Sequence, residues 1–218
     1  MTKKTKLLLG GVFVVMIFFI TTFLKNWGTA VSENLLEKYK PEVKALKEKP
    51  ELAKAKCPGI QAKLKKHIPE LAKSKDKIQV PTAYKLIADC AYASDDYPEA
   101  VVYYRKLAEF EPNTAVWHAK LAETYLKLAQ SGEPDAVGDA LAPSTLATQL
   151  SPEDFRIRRL QARVLAALGL RNRAINAYAE AIRIAPYKMI AETKRELQDF
   201  LAKSNDESSL EDAVAVGK

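Results

Sequence analysis

Two histidines and two cysteines are all that 218 residues offer for imidazole or thiolate chemistry. His67 and His118 stand alone at helical positions, which suits a core or surface residue better than a base or a ligand. Cys57 and Cys90 are too far apart for a Cys-x-x-Cys redox or metal pair, and no Cys-x-x-Cys-His haem attachment site occurs. The eight glycines form no Gly-rich phosphate loop, and no nucleophile sits in a signature context. Carboxylate pairs such as Asp95-Asp96 fall at predicted turns, where short acids cap helices. These absences argue against an enzyme, a metal protein or a cofactor carrier. No catalytic residue, metal or cofactor is expected.

Arginine and lysine outnumber acids by 34 to 27, and the excess is unevenly placed. Residues 33–80 carry thirteen lysines against seven acids. Lysines can neutralise nucleic-acid phosphates, but no nucleic-acid motif accompanies these, so a solvated helix face is the preferred reading. Ahead of them, residues 7–24 run for 18 residues without a charge. Flanked by Lys3, Lys4 and Lys6 on one side and Lys25 and Trp27 on the other, this run predicts a transmembrane anchor after a cytoplasmic N-terminus at 1–6. A cleaved signal peptide ending near Gly28-Thr-Ala30 is the rival. Both readings put the remainder outside the cytoplasm, the first as a single-pass protein of a bacterial inner membrane with its C-terminal domain in the periplasm. An even pair of cysteines in an oxidising compartment predicts a Cys57–Cys90 disulfide, with two buried free thiols as the alternative.

What the sequence does contain is a returning pattern. Tyr84, Ala88, Ala91, Ala100, Tyr104 and Pro112 outline one unit. His118, Ala122, Tyr125 and Pro152 outline the next, and Arg158, Ala162, Leu165, Ala174, Tyr178 and Pro186 a third. The prolines fall 40 and then 34 residues apart. Small residues at helix crossings, an aromatic in the second helix and a closing proline at this period resemble the tetratricopeptide repeat (TPR). With the apolar run 7–24 the resemblance implies an all-α chain: an N-terminal transmembrane helix, then a TPR-like α-solenoid of about three helix pairs with an atypical N-terminal helical cap and a C-terminal capping helix. The expected divisions are the anchor 7–24, a linker 25–32, a Lys-rich cap 33–80, and repeats over 81–186 (81–113, 114–153, 154–187). A capping helix 188–203 and a disordered acidic tail 204–218 complete them. Within the cap, helix is expected from Ser32 to about Lys56, broken by Pro41 or Pro50, and again from Pro58 to about Lys75. Ser131-Gly-Glu-Pro-Asp135 supplies most of the extra six residues of the long interval.

In this repeat the first helices line the inner face. Spacings of three and four place Thr82, Lys85, Asp89 and Tyr92 there on the first, Val116, Ala119, Glu123 and Leu126 on the second, and Arg156, Arg159 and Arg163 on the third. Stacked guanidiniums repel one another unless an anion lies near, and the planar fork of arginine suits a carboxylate. Either Glu123 and Asp89 neutralise the arginines internally, or the groove takes an acidic or C-terminal peptide segment, with Tyr92 and Leu126 as apolar contacts.

The stretch Tyr97-Pro-Glu-Ala-Val-Val-Tyr-Tyr-Arg105, Leu121-Ala-Glu-Thr-Tyr125 with the Ser131-Gly132 interruption, Ala166 to Ile175 and Ala179 to Pro186 resembles the periplasmic TPR subunits of bacterial cytochrome c maturation. That resemblance implies a scaffold that binds apocytochrome c and presents it to the haem lyase. The alternative is a structural subunit of an envelope complex (pilus, secretion or respiratory) held by broad helix faces, and an enzyme is a distant third. The expected partners are a protein segment and the membrane, not nucleic acid.

Overall fold

The computed structural model describes residues 34–73 and 79–203, together with Met16. Apart from Met16, the expected anchor 7–24 lies outside the described residues, as do the linker 25–32 and the tail 204–218. Among the described residues all regular structure is α-helical, and no helix is long and apolar enough to cross a membrane. The chain divides into two compact units between Ser94 and Asp95.

The first unit holds α1 (residues 34–46), α2 (Pro50–Lys73) and α3 (Gln79–Ala93). Leu36, Tyr39, Val43 and Leu46 recur every three to four residues along α1 and are all buried. Of the two prolines expected to break the first stretch, Pro50 starts a new helix and Pro41 lies inside α1, while the helix ends expected near Lys56 and Pro58 are not observed. The break comes earlier, at the turn 47–49 before Pro50, and α2 runs unbroken through Pro58 and Pro69. Its apolar stripe is the reason. Ala53, Cys57, Ile60, Leu64 and Leu71 are buried on one side of a single helix, so burial continues across the backbone bond that Pro58 forgoes. α2 packs on α3, and a Cys57–Cys90 disulfide joins them with a Cα–Cα distance of 5.4 Å. The division at Ser94 keeps α3, the first helix of the expected 81–113 repeat, in the unit to which this bridge ties it.

The second unit holds α4 (Tyr97–Phe110), α5 (Ala115–Gln130), α6 (Ala136–Leu150), α7 (Phe155–Ala167), α8 (Arg171–Ile184) and α9 (Tyr187–Lys203). Each packs on the next, and α5 also meets α7. Local chemistry sets the ends. Asp96 caps α4 by accepting from the Glu99 amide at 3.3 Å, and Asp154 caps α7 by accepting from the Arg156 amide at 2.9 Å. The Gly169 N–H donates to Ala166 and the Leu170 N–H to Leu165, both at 3.0 Å, while Gly169 sits at φ 69°. That is a Schellman end, with Leu170 folding onto the cluster that contains Leu165. A Cβ at Gly169 would meet nothing within 4 Å, so only the backbone resists substitution. Gly169→Ala is expected to cost about 1 kcal/mol in chemical denaturation with the denaturant slope unchanged.

The repeat positions acquire physical roles here. Ala122 and Ala162 are fully buried where first helices cross their neighbours, and Ala100 and Ala174 do the same in second helices. Ala140 holds the equivalent place in α6, 40 residues after Ala100 and 34 before Ala174, and is also fully buried. Ser144 stands where the other units have Tyr104 and Tyr178, with its hydroxyl donating to the Leu141 carbonyl at 2.9 Å. The closing prolines are gripped by their carbonyls: His118 Nε2 donates to Pro112 O at 2.8 Å and Arg158 Nε to Pro152 O at 2.9 Å.

Candidate interaction groove

Two helices make the groove. α5 and α7 are first helices of successive pairs, and they leave between them a cavity of about 410 Å³. Val116, Ala119, Lys120 and Glu123 line it from α5, while Arg156, Ile157, Arg159, Leu160 and Arg163 line it from α7. The three- and four-residue spacing thus brings Val116, Ala119, Glu123, Arg156, Arg159 and Arg163 onto one wall system. Leu126 does not join them. It is 5% exposed, turned into the core of α5 and its neighbours.

The three arginines are not equivalent. Arg159 grips Glu196 through both nitrogen arms, Nε to Oε2 at 3.0 Å and Nη2 to Oε1 at 2.6 Å, and reaches Glu192 at 2.5 Å. These carboxylates, Glu196 foremost, raise the guanidinium pKa above its already high value despite partial burial. Arg156 is largely exposed and lies 3.8 Å from Asp154. Arg163 is half-buried, and among the described residues no carboxylate comes within ion-pair distance of it. Its charge is felt by Tyr178, whose phenol burial pushes up to about 12; Glu196 adds to that rise, and Arg163 and Arg159 oppose it.

Internal neutralisation therefore occurs, but through α9. Glu123 accepts instead from Lys120 at 2.7 Å. In the first unit, Asp89 is 5% exposed and is held by Lys47 at 2.8 Å and Lys85 at 3.3 Å. Asp89 is a buried carboxylate clamped by two lysines. Tyr92 follows it on α3, half-buried. Glu192 and Glu196 were the residues spacing alone overlooked. Their one signal is an acidic i, i+4 pair beside the apolar Leu197 and Leu201 of α9.

Other polar groups are engaged locally. His67 Nδ1 lies 3.1 Å from Glu70, and Arg105 hydrogen-bonds the Tyr125 hydroxyl. Among the described residues no group of three or more His, Cys, Asp or Glu could hold a metal ion.

No family model matches the sequence, and no curated protein matches it. A solved structure does. The chain is similar to a thermophilic TPR protein from Thermus thermophilus, with a TM-score of 0.54 and 17% identity, over 85% of this chain and 87% of that one. With helix pairs, buried alanines at the crossings and closing prolines already seen, this likeness establishes the architecture: the chain has an all-α, TPR-type fold.

Proposed function

We propose that the chain is a binding scaffold and not an enzyme, and that its α5–α7 groove holds an acidic or C-terminal peptide segment of a partner protein. The observation that carries this reading is Arg163. A half-buried guanidinium on the wall of a 410 Å³ groove, without a carboxylate in ion-pair reach among the described residues, is a place for an anion supplied from outside. Arg156 flanks it, and Val116, Ile157 and Leu160 add apolar wall. The TPR-type fold supports a protein partner. The Cys57–Cys90 bridge supports an extracytoplasmic location, since such bonds persist in oxidising compartments. The apolar run 7–24 supports an anchor in a bacterial inner membrane. An apocytochrome c chaperone in cytochrome c maturation is the specific form of this proposal.

The test is fluorescence polarisation with a labelled acidic peptide. Arg163→Glu is expected to weaken binding at least tenfold, the loss of one charge-assisted contact, with the helical circular dichroism unchanged. Equal affinity of the two proteins removes the groove assignment. A second reading, a subunit of an envelope complex held by broad helix faces, is favoured by large apolar side chains exposed on the second helices α4 and α6. These are Val102, Phe110 and Leu146. Co-purification from solubilised membranes separates the two: stoichiometric complex subunits support the second, apocytochrome or haem lyase the first.

A further inference from the structure

All cationic side chains of the first unit other than histidine are lysines; the first arginine in the sequence is Arg105. On α2 they are not scattered. Lys49, just before its first turn, and then Lys56, Lys63, Lys66 and Lys73 fall within an arc of about 120° of the helix surface at 3.6 residues per turn. The stripe is about 36 Å long, from 24 residues at 1.5 Å each. All five are exposed, and the apolar side of α2 lies outside this arc. Lys56 reaches Glu42 of α1 at 3.4 Å, and Glu70, which faces His67, is the one acid of α2 inside the arc. Lys49, Lys63, Lys66 and Lys73 have no carboxylate within ion-pair distance among the described residues, so the stripe carries a net positive charge.

We propose that this stripe lies against the anionic lipid headgroups of the bilayer that the 7–24 run enters. The inference rests on the anchor reading and holds for either leaflet. Nine residues, 25–33, separate Leu24 from Asn34, so the start of α1 is tethered within roughly 35 Å of that surface and α2 follows it after a three-residue turn. A lysine ammonium is a compact, strongly hydrated point charge without the fork that reads bases or single phosphates, and it suits a diffuse plane of charge. The tether favours lipid over nucleic acid.

The full chain reconstituted in lipid nanodiscs tests this by acetylation footprinting. With about one third anionic lipid, Lys63, Lys66 and Lys73 are expected to react about fivefold more slowly than in zwitterionic discs, the effect of roughly one headgroup interaction per lysine. Lys54 and Lys65, on the opposite side of α2, should be unchanged. About 1 M salt should abolish the difference. Equal rates in both discs overturn the proposal. So does protection by a short duplex DNA without protection by anionic lipid, which would assign the stripe to nucleic acid. A chain recovered free of lipid refutes the anchor itself and leaves the groove reading untouched.

Discussion

Replacing Cys57 and Cys90 together with alanine is expected to remove roughly 3–4 kcal/mol from the stability of the first unit. The bridge spans 33 residues, and closing a loop of that size in the unfolded chain accounts for this amount in the chain-entropy model. Both sulfurs are fully buried, so the alanines also leave small voids that add to the loss. The effect should be local. Hydrogen exchange in α2 and α3 should accelerate by two to three orders of magnitude, with α7 and α8 unaffected. Reduction of the native protein should reproduce the result once the unit opens far enough to admit the reductant. A change below about 1 kcal/mol would mean that packing of α2 on α3, and not the bridge, holds this unit.

Arg159→Glu carries the second large effect. It would set a third carboxylate between Glu192 and Glu196, on a side chain that is 16% exposed against one that is 28% exposed. The Glu192 arm, 55% exposed, lies in the range of ordinary surface pairs and contributes little. The two-pronged Glu196 contact is the expensive one to break, because it leaves a partly desolvated acid without its partner. A loss of roughly 2–3 kcal/mol is expected, read as faster hydrogen exchange in α9 before any other helix of the unit. A double-mutant cycle with Glu196→Gln should return a coupling of about 1–2 kcal/mol. Zero coupling would reduce the contact to a surface pair. This variant is thus a probe of α9 docking, and Arg163→Glu is the cleaner probe of the groove.

The difference between those two arginines shows what local spacing reveals. Period and small-residue placement located the helix pairs, because Ala122 and Ala162 are buried for the same steric reason in each unit. Helical spacing also brought Glu123 and the three arginines to facing sides of one groove. It did not separate Arg159 from Arg163, since the acids that occupy Arg159 lie 33 and 37 residues further on, in a helix outside the repeat. Leu126 was misplaced because the row drifts around α5, and its last member falls beside the buried Ala122 one turn earlier. Pro58 misled for the opposite reason: a local helix-breaking rule lost to a stripe of buried apolar residues that continues past it. Ala140 and Ser144 went unread because the interruption at 131–135 shifted the register by which they would be found.

The proline carbonyls impose a grammar on the array. Six residues after Pro112 and after Pro152 stands a side chain that can donate a hydrogen bond, His118 and Arg158, and each closes its unit by donating to the proline carbonyl. Six residues after Pro186 stands Glu192, whose carboxylate oxygen accepts from Arg159. The sentence ends there. In place of turning back to its own proline, that acid reaches across to Arg159 and converts what would be the start of another unit into a stop. Lengthening the array by design would need a donor at position 192, and it would set Arg159 partly loose in the same stroke.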